Sequence, residues 1–181
     1  GESKTFFADN GYEQLSEAER QEQKRTRDES VRKAKEELAR LRQEAKRQAK
    51  EIWDAASLAP DDHLYPARKG IKAHGVRLHR DGRLMVPVCD VDGAIQSIQY
   101  INHDGEKLFL PDGQISSGSY LIGTIEGACA LCIAEGFATA ATVHEATGYP
   151  VCVAFNCGNL LSVAQAIHIR YPDLKVILCA D

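Results

Sequence analysis

No stretch of this sequence approaches the roughly 18 consecutive apolar residues of a membrane span, and no signal-peptide pattern opens it. The expectation is a soluble, cytoplasmic protein with no membrane partner. A net basic charge is also missing. The 22 Lys and Arg against 26 Asp and Glu leave −4, so nucleic-acid binding cannot be argued from the overall field. The histidines (63, 74, 79, 103, 144, 168) show no close metal-ligand spacing. The nearest pair, His74 and His79, flanks a β-like stretch, and all six read as surface or packing residues.

Cysteines are present, six of them, but not in a convincing zinc pattern. Cys129-x-x-Cys132 and Cys152-x4-Cys157 offer four thiolates on paper. Yet Cys132, Cys152 and Cys179 sit inside apolar strand-like runs, whereas ligand pairs lie on turns that let sulfurs converge. Free cysteine packs well as a small hydrophobe. Reduced core thiols are the reading.

Between Ser16 and Ser57 there is neither Pro nor Gly. Ser16 with Glu19 has the spacing of a capping box, which starts a helix. Val31, Leu38, Ala45 and Ile52 recur every seven residues, with Ala34 and Leu41 between them. From Glu13 to Glu51, 22 of 39 residues are charged, 12 basic and 10 acidic. This predicts a long, solvated, salt-bridged helix whose last turns, around Ile52 and Trp53, dock on the globular body. A coiled-coil seam or an interdomain linker is the alternative. Because the signs nearly cancel, the run is weak evidence for DNA contact.

After LAPDD (58–62) come β-like runs at 75–79, 83–89, 94–101, 106–110 and 119–122. The pairs Asp81-Gly82, Asp92-Gly93, Asp104-Gly105 and Asp112-Gly113 separate them. Such pairs between alternating runs predict an antiparallel meander of hairpins. Beyond Gly127 the texture becomes strand 131–134, helix 136–147, strand 151–155, helix 158–170 and strand 174–179. That is the spacing of successive βαβ units, whose right-handed crossovers make the strands parallel. A chain ending on a buried strand reads as a fragment of a longer protein. The expected organisation is an irregular arm and charged helix (1–57), a small β-rich subdomain (58–127) and an α/β domain (128–181).

Two of the three strand-like runs deliver a carboxylate at their carboxyl end, Glu135 and Asp181, and the third leads into Asn156-Cys157-Gly158-Asn159. That edge of a parallel sheet is where ligands bind, and amides at the following helix start can face a phosphate. Two adjacent acids there suit a divalent metal handling phosphates.

LCIAEGFATAATV, VAFNCGNL and LKVILCAD resemble, in order, the motifs of the Toprim domain shared by DnaG-type primases, topoisomerases and some nucleases. The likeness is strongest to the primase-like proteins of plasmids and phages. ARKGI, GRLMVPVCDVDGAIQSIQYI and GEKLFLPDG resemble the small β subdomain of the primase core, so the resemblance runs over residues 60–181. It implies an α/β fold: a Toprim-like parallel sheet, cut at its third strand, behind a small antiparallel β subdomain and a long N-terminal helix. It implies a DNA primase, a metal-dependent nucleotidyltransferase making RNA primers on single-stranded DNA. Glu135 and Asp181 would be the catalytic and metal-binding residues for Mg²⁺ or Mn²⁺, and the family's second aspartate would fall two residues beyond Asp181. Arg83 and Lys107, with Arg68 and Lys69, would guide ribonucleoside triphosphates or template, and Asn156, Gly158 and Asn159 of the middle turn would also bind nucleotide or DNA. A replicative helicase is a further candidate partner. The family usually carries an Arg where this chain reads Gln99-Tyr100-Ile101-Asn102. Two other readings share the residues: Toprim-type DNA strand cleavage, for which no tyrosine is marked as nucleophile, and a non-catalytic replisome-docking module.

Overall fold

The computed structural model describes residues 16–179. Residues up to Leu38 belong to one compact unit and those from Ala39 onward to another. Helix α1 (Glu17–Asp54) opens with the capping box that its sequence predicts. Ser16 N–H donates to Glu19 Oε2 at 2.8 Å, and Glu19 N–H donates to Ser16 Oγ at 3.3 Å. Within the first unit Val31 and Leu38 stay exposed, and pairs such as Lys33–Glu29 (2.8 Å) and Arg32–Glu36 (3.2 Å) run along the surface. Each is worth a few tenths of a kcal/mol. In the second unit Ala45 and Ala49 are buried, and Ile52 and Trp53 pack with Met85, Ile98 and Tyr100. No helix among the described residues is long and apolar enough to cross a membrane.

Five short strands form one antiparallel sheet in chain order: β1 (Ser57–Leu58), β2 (Arg77–Leu78), β3 (Leu84–Cys89), β4 (Ile95–Ile101) and β5 (Lys107–Phe109). Helix α2 (Leu64–Lys69) lies between the first two. Period-two alternation splits the sheet's faces. Leu84, Val86, Val88 and Ile101 join one core cluster, while Met85, Ile98 and Tyr100 join the cluster beneath α1. The turns at Gly82, Gly93 and Gly105 use left-handed glycines, as predicted. At the fourth Asp-Gly pair the left-handed residue is Asp112, and no hairpin follows. The run expected to finish the meander is β6 (Tyr120–Ile122), which instead pairs antiparallel with β8 (Val151–Val153) in a second sheet. Just before it, the bridge Cys89–Ser119 ties the chain to the first sheet. Sheet membership therefore changes ahead of the boundary expected at residue 127. A three-residue strand alternates alike in either sheet, so its partner could not be read from its pattern.

The second sheet runs β6-β8-β7-β9, with β7 (Ala130–Ala134) parallel to both β8 and β9 (Lys175–Cys179). Helix α3 (Phe137–Thr147) connects β7 to β8, and a 3₁₀ turn (Cys157–Asn159) leads into α4 (Leu160–Arg170) before β9. Cys132, Ala134, Val151 and Val153 share a cluster with Phe137, Ala140 and Ala141 of α3. Leu131, Ile133, Cys152 and Ala154 share one with Val163 and Ile167 of α4. The two helices therefore cover opposite faces.

Candidate functional site

From β7 the chain moves to β8 on one side, then crosses back to β9 on the other. That reversal puts a topological switch point at the carboxyl ends of β7 and β9, the place where open α/β sheets bind ligands. Glu135 stands at this end of β7, half-buried. Its carboxylate makes no hydrogen bond or ion pair with any other described residue. Gly136 follows in ordinary extended backbone (φ −108°), so its dihedrals do not require glycine. A Cβ there would lie 3.3 Å from Lys107 Nζ, a tight approach that the flexible lysine end could relieve. The Lys107 ammonium, from β5 of the first sheet, thus lies against the peptide that follows the Glu135 carboxylate.

The neighbouring strand ends in an unusual conformation. Phe155 has φ +72°, sparsely populated for a bulky residue and costing on the order of 1–3 kcal/mol. The ring offsets this by burial, edge-on to Phe109 at 6.0 Å between centroids. Lys107 and Phe109 alternate on one face of β5. One meets the turn after β7, the other the turn after β8. Beyond Phe155, Asn156, Cys157 and Gly158 are exposed. Neither Phe109 nor Phe155 was marked by the sequence, since a reading that looks for polar chemistry passes over the aromatics that position it.

The other expected site residues divide. Asp181 lies outside the described residues; β9, which it follows in sequence, pairs with β7 so that Cys179 stands opposite Ala134. Among the described residues no group of three or more His, Cys, Asp and Glu is placed to hold a metal. Arg68, in the last turn of α2, has Nη2 3.0 Å from where a Cβ on Gly105 would be, so it covers the turn leading to Lys107. Lys69 is exposed in the same helical turn, and nothing ties it to Glu135.

Two expectations are corrected. Arg83 is not brought to the strand-end site. It alternates with Leu84, on the face of β3 shared with Met85, and its guanidinium lies over the Tyr100 ring at 4.3 Å, paired with Asp81 at 2.7 Å. That is the sheet face turned to α1, opposite Lys107. The Arg83 charge holds the Asp81 carboxyl well below its ordinary range. Asn159 is only 4 % exposed. Its Nδ2 donates to the carbonyls of Gly118 and Ala154 (2.9 Å each) and Ile115 (3.2 Å), and its Oδ1 accepts from Ser117 N–H at 2.8 Å. The side chain is committed to the fold and leaves nothing for a nucleotide.

No protein-family model matches the chain. Curated relatives do. A DNA primase TraC of Escherichia coli is 39% identical over 134 residues, and a second TraC primase of the same species is 39% identical over 133. The chain is homologous to a segment of the TraC DNA primases. Each match takes in 70% of this chain but only 13% and 9% of the respective primase. Among solved structures, the primase fragment of the bacteriophage T7 primase-helicase protein is similar at 19% identity and a TM-score of 0.48. That match covers 64% of this chain and 53% of the fragment. A T7 lagging-strand polymerase complex, with primase domains bound to an RNA/DNA hybrid and dTTP, gives 19% and 0.45, with 64% of each chain covered. Likenesses of that size carry no weight for function.

Proposed function

We propose that this chain carries the strand-end part of a Toprim-type primase site. The whole protein would join ribonucleotides on single-stranded DNA, in the cytoplasm, during plasmid- or phage-type replication. One observation carries the reading: the Lys107 ammonium lies against Gly136, directly after Glu135 at the carboxyl end of β7, and neither Lys107 nor Glu135 has a side-chain partner among the described residues. The homology to TraC primases supplies the reaction class.

In this reading Lys107 draws the triphosphate to the strand end, and its neighbour Arg68 adds a second positive charge at the same turn. Polyanion affinity then depends on salt. The amides at the start of the 157–159 turn face a phosphate oxygen, where the helix dipole favours negative charge. Phe109 and Phe155 hold the two turns together and keep water from beneath the phosphates. The oxygen donor of Glu135, with no competing partner, fits Mg²⁺ or Mn²⁺ together with Asp181. A cation held there would neutralise charge developing on the transferred phosphate. Single-stranded template and a replicative helicase are the partners of this reading.

The test is primer synthesis by the full-length protein on single-stranded DNA with four ribonucleotides and Mg²⁺. Labelled RNA is expected, and Glu135→Gln should abolish it while leaving the melting temperature unchanged, since the carboxylate supports no fold contact. Nicked DNA, or binding without turnover, overturns the proposal.

A further inference from the structure

Charges of the two signs nearly cancel along α1 in sequence, yet its 3.6-residue turn separates them around the axis. At about 100° per residue, Arg20, Lys24, Arg27 and Lys35 of the first unit fall with Val31 and Leu38 in one stripe about 80° wide. All six are exposed. Between Ala18 and Leu38 no acid falls inside that stripe, and Asp28 borders it. Glu22, Glu29 and Glu36 lie on the far side, where Glu29 pairs with Lys33 and Glu36 with Arg32. Arg20, Lys24, Arg27 and Lys35 make no ion pair with any described residue. Positive charge is thus balanced on one face of the helix and left unbalanced on the other.

We infer that this stripe is a contact surface for the phosphodiester backbone of single-stranded DNA, separate from the strand-end site and independent of the chemistry at Glu135. Cations without internal partners add little to the helix, whereas each one laid on a phosphate releases a condensed counterion. From Arg20 to Lys35 the helix rises roughly 22 Å, at about 1.5 Å per residue, so a strand can run along the cations in line. The acids on the far side confine a polyanion to this one face. Val31 and Leu38 suit the sugars and base edges that a single strand exposes and a duplex stacks away. Two aliphatic side chains are too few for the roughly 1,000 Å² that a specific protein interface needs. A second copy is disfavoured by charge. Two such stripes packed together would set the cations against each other, or against Val31 and Leu38.

The experiment is a fluorescence-anisotropy titration of labelled oligothymidylate with the full-length protein and two triple variants. One is Arg20→Gln with Lys24→Gln and Arg27→Gln; the other is Arg25→Gln with Arg32→Gln and Lys33→Gln. Both lose three positive charges and gain a good helix former at each position, so a difference between them reads the face and not the net charge. The first variant should bind roughly tenfold or more weakly at about 0.1 M salt. Its slope of log affinity against log salt should shrink by about 2, at about 0.7 for each lost phosphate contact. The second should stay within about twofold of the wild type, since charges off the contact face are screened. Equal losses in the two variants, or no loss in either, overturn the inference. So does a wild type that fails to bind, or duplex DNA that competes as well as the single strand. Unchanged DNA affinity in the first variant, with loss of binding to phosphatidylserine vesicles, marks a lipid contact and overturns it too. A wild type that binds the strand but makes no primer sinks the proposed function and leaves the α1 contact standing.

Discussion

Replacing Asn159 by alanine removes a side chain that ties the 115–118 loop to the end of β8. The amide's two hydrogens are shared among three carbonyls, and its oxygen accepts one backbone N–H. That amounts to about three full hydrogen bonds at about 1 kcal/mol each. The carbonyls of Gly118 and Ala154 are also left buried without this partner. The expected loss is about 3 kcal/mol. In urea, with a slope near 2 kcal/mol/M, the midpoint should fall by about 1.5 M without a change in slope. In a thermal scan the melting temperature should fall by roughly 6–12 °C. Asn159→Asp should do no better, because a carboxylate donates nothing and faces three carbonyl oxygens. Nucleotide affinity measured well below the melting temperature should not change. A stability loss under about 1 kcal/mol, or a selective loss of nucleotide binding in a stable variant, refutes the assignment of Asn159 to the fold.

Lys107→Ala should raise the KM for ribonucleotides about tenfold while moving the melting temperature by no more than about 2 °C, because the ammonium has no ion-pair partner among the described residues. Glu145 accepts from Lys72 N–H at 2.8 Å and lies 2.6 Å from His74 Nε2, and the Lys72 bond leads in lowering its pKa below the ordinary 4.5. Its contribution is therefore full above pH 4.5 and lost as pH falls through the depressed value. Glu145→Gln should melt below the wild type at pH 6, and the gap should narrow as the pH falls below 4.5. Burial pushes the Cys152 thiol up to about 11, whereas Cys129 and Cys157 are exposed. Iodoacetamide at pH 8 should label the exposed pair first, read by mass spectrometry.

Much of the fold was legible because its signals are local. The capping box, the three Asp-Gly hairpins and the strand–helix alternation after Gly127 each follow from neighbours a few residues apart. β6 was misplaced because its three residues carry no mark of which sheet they join. Glu135 could be singled out because an acid after an apolar strand is rare and its place follows from topology. Arg83 could not be judged from sequence, since the Asp81 and Tyr100 contacts that hold it on the far face depend on the twist and register of the sheet. Asn159 misled for a related reason. An amide in a glycine-bearing turn looks ready for a ligand until the 115–118 loop, about forty residues earlier, is seen to occupy it.

The left-handed backbone at Phe155 has a consequence for affinity. Folding alone fixes that bend, and the cost, on the order of 1–3 kcal/mol, is borne by the ring's packing on Phe109. In the proposed function an arriving phosphate would meet a turn whose backbone is already bent, so little of its binding energy would go into ordering that loop.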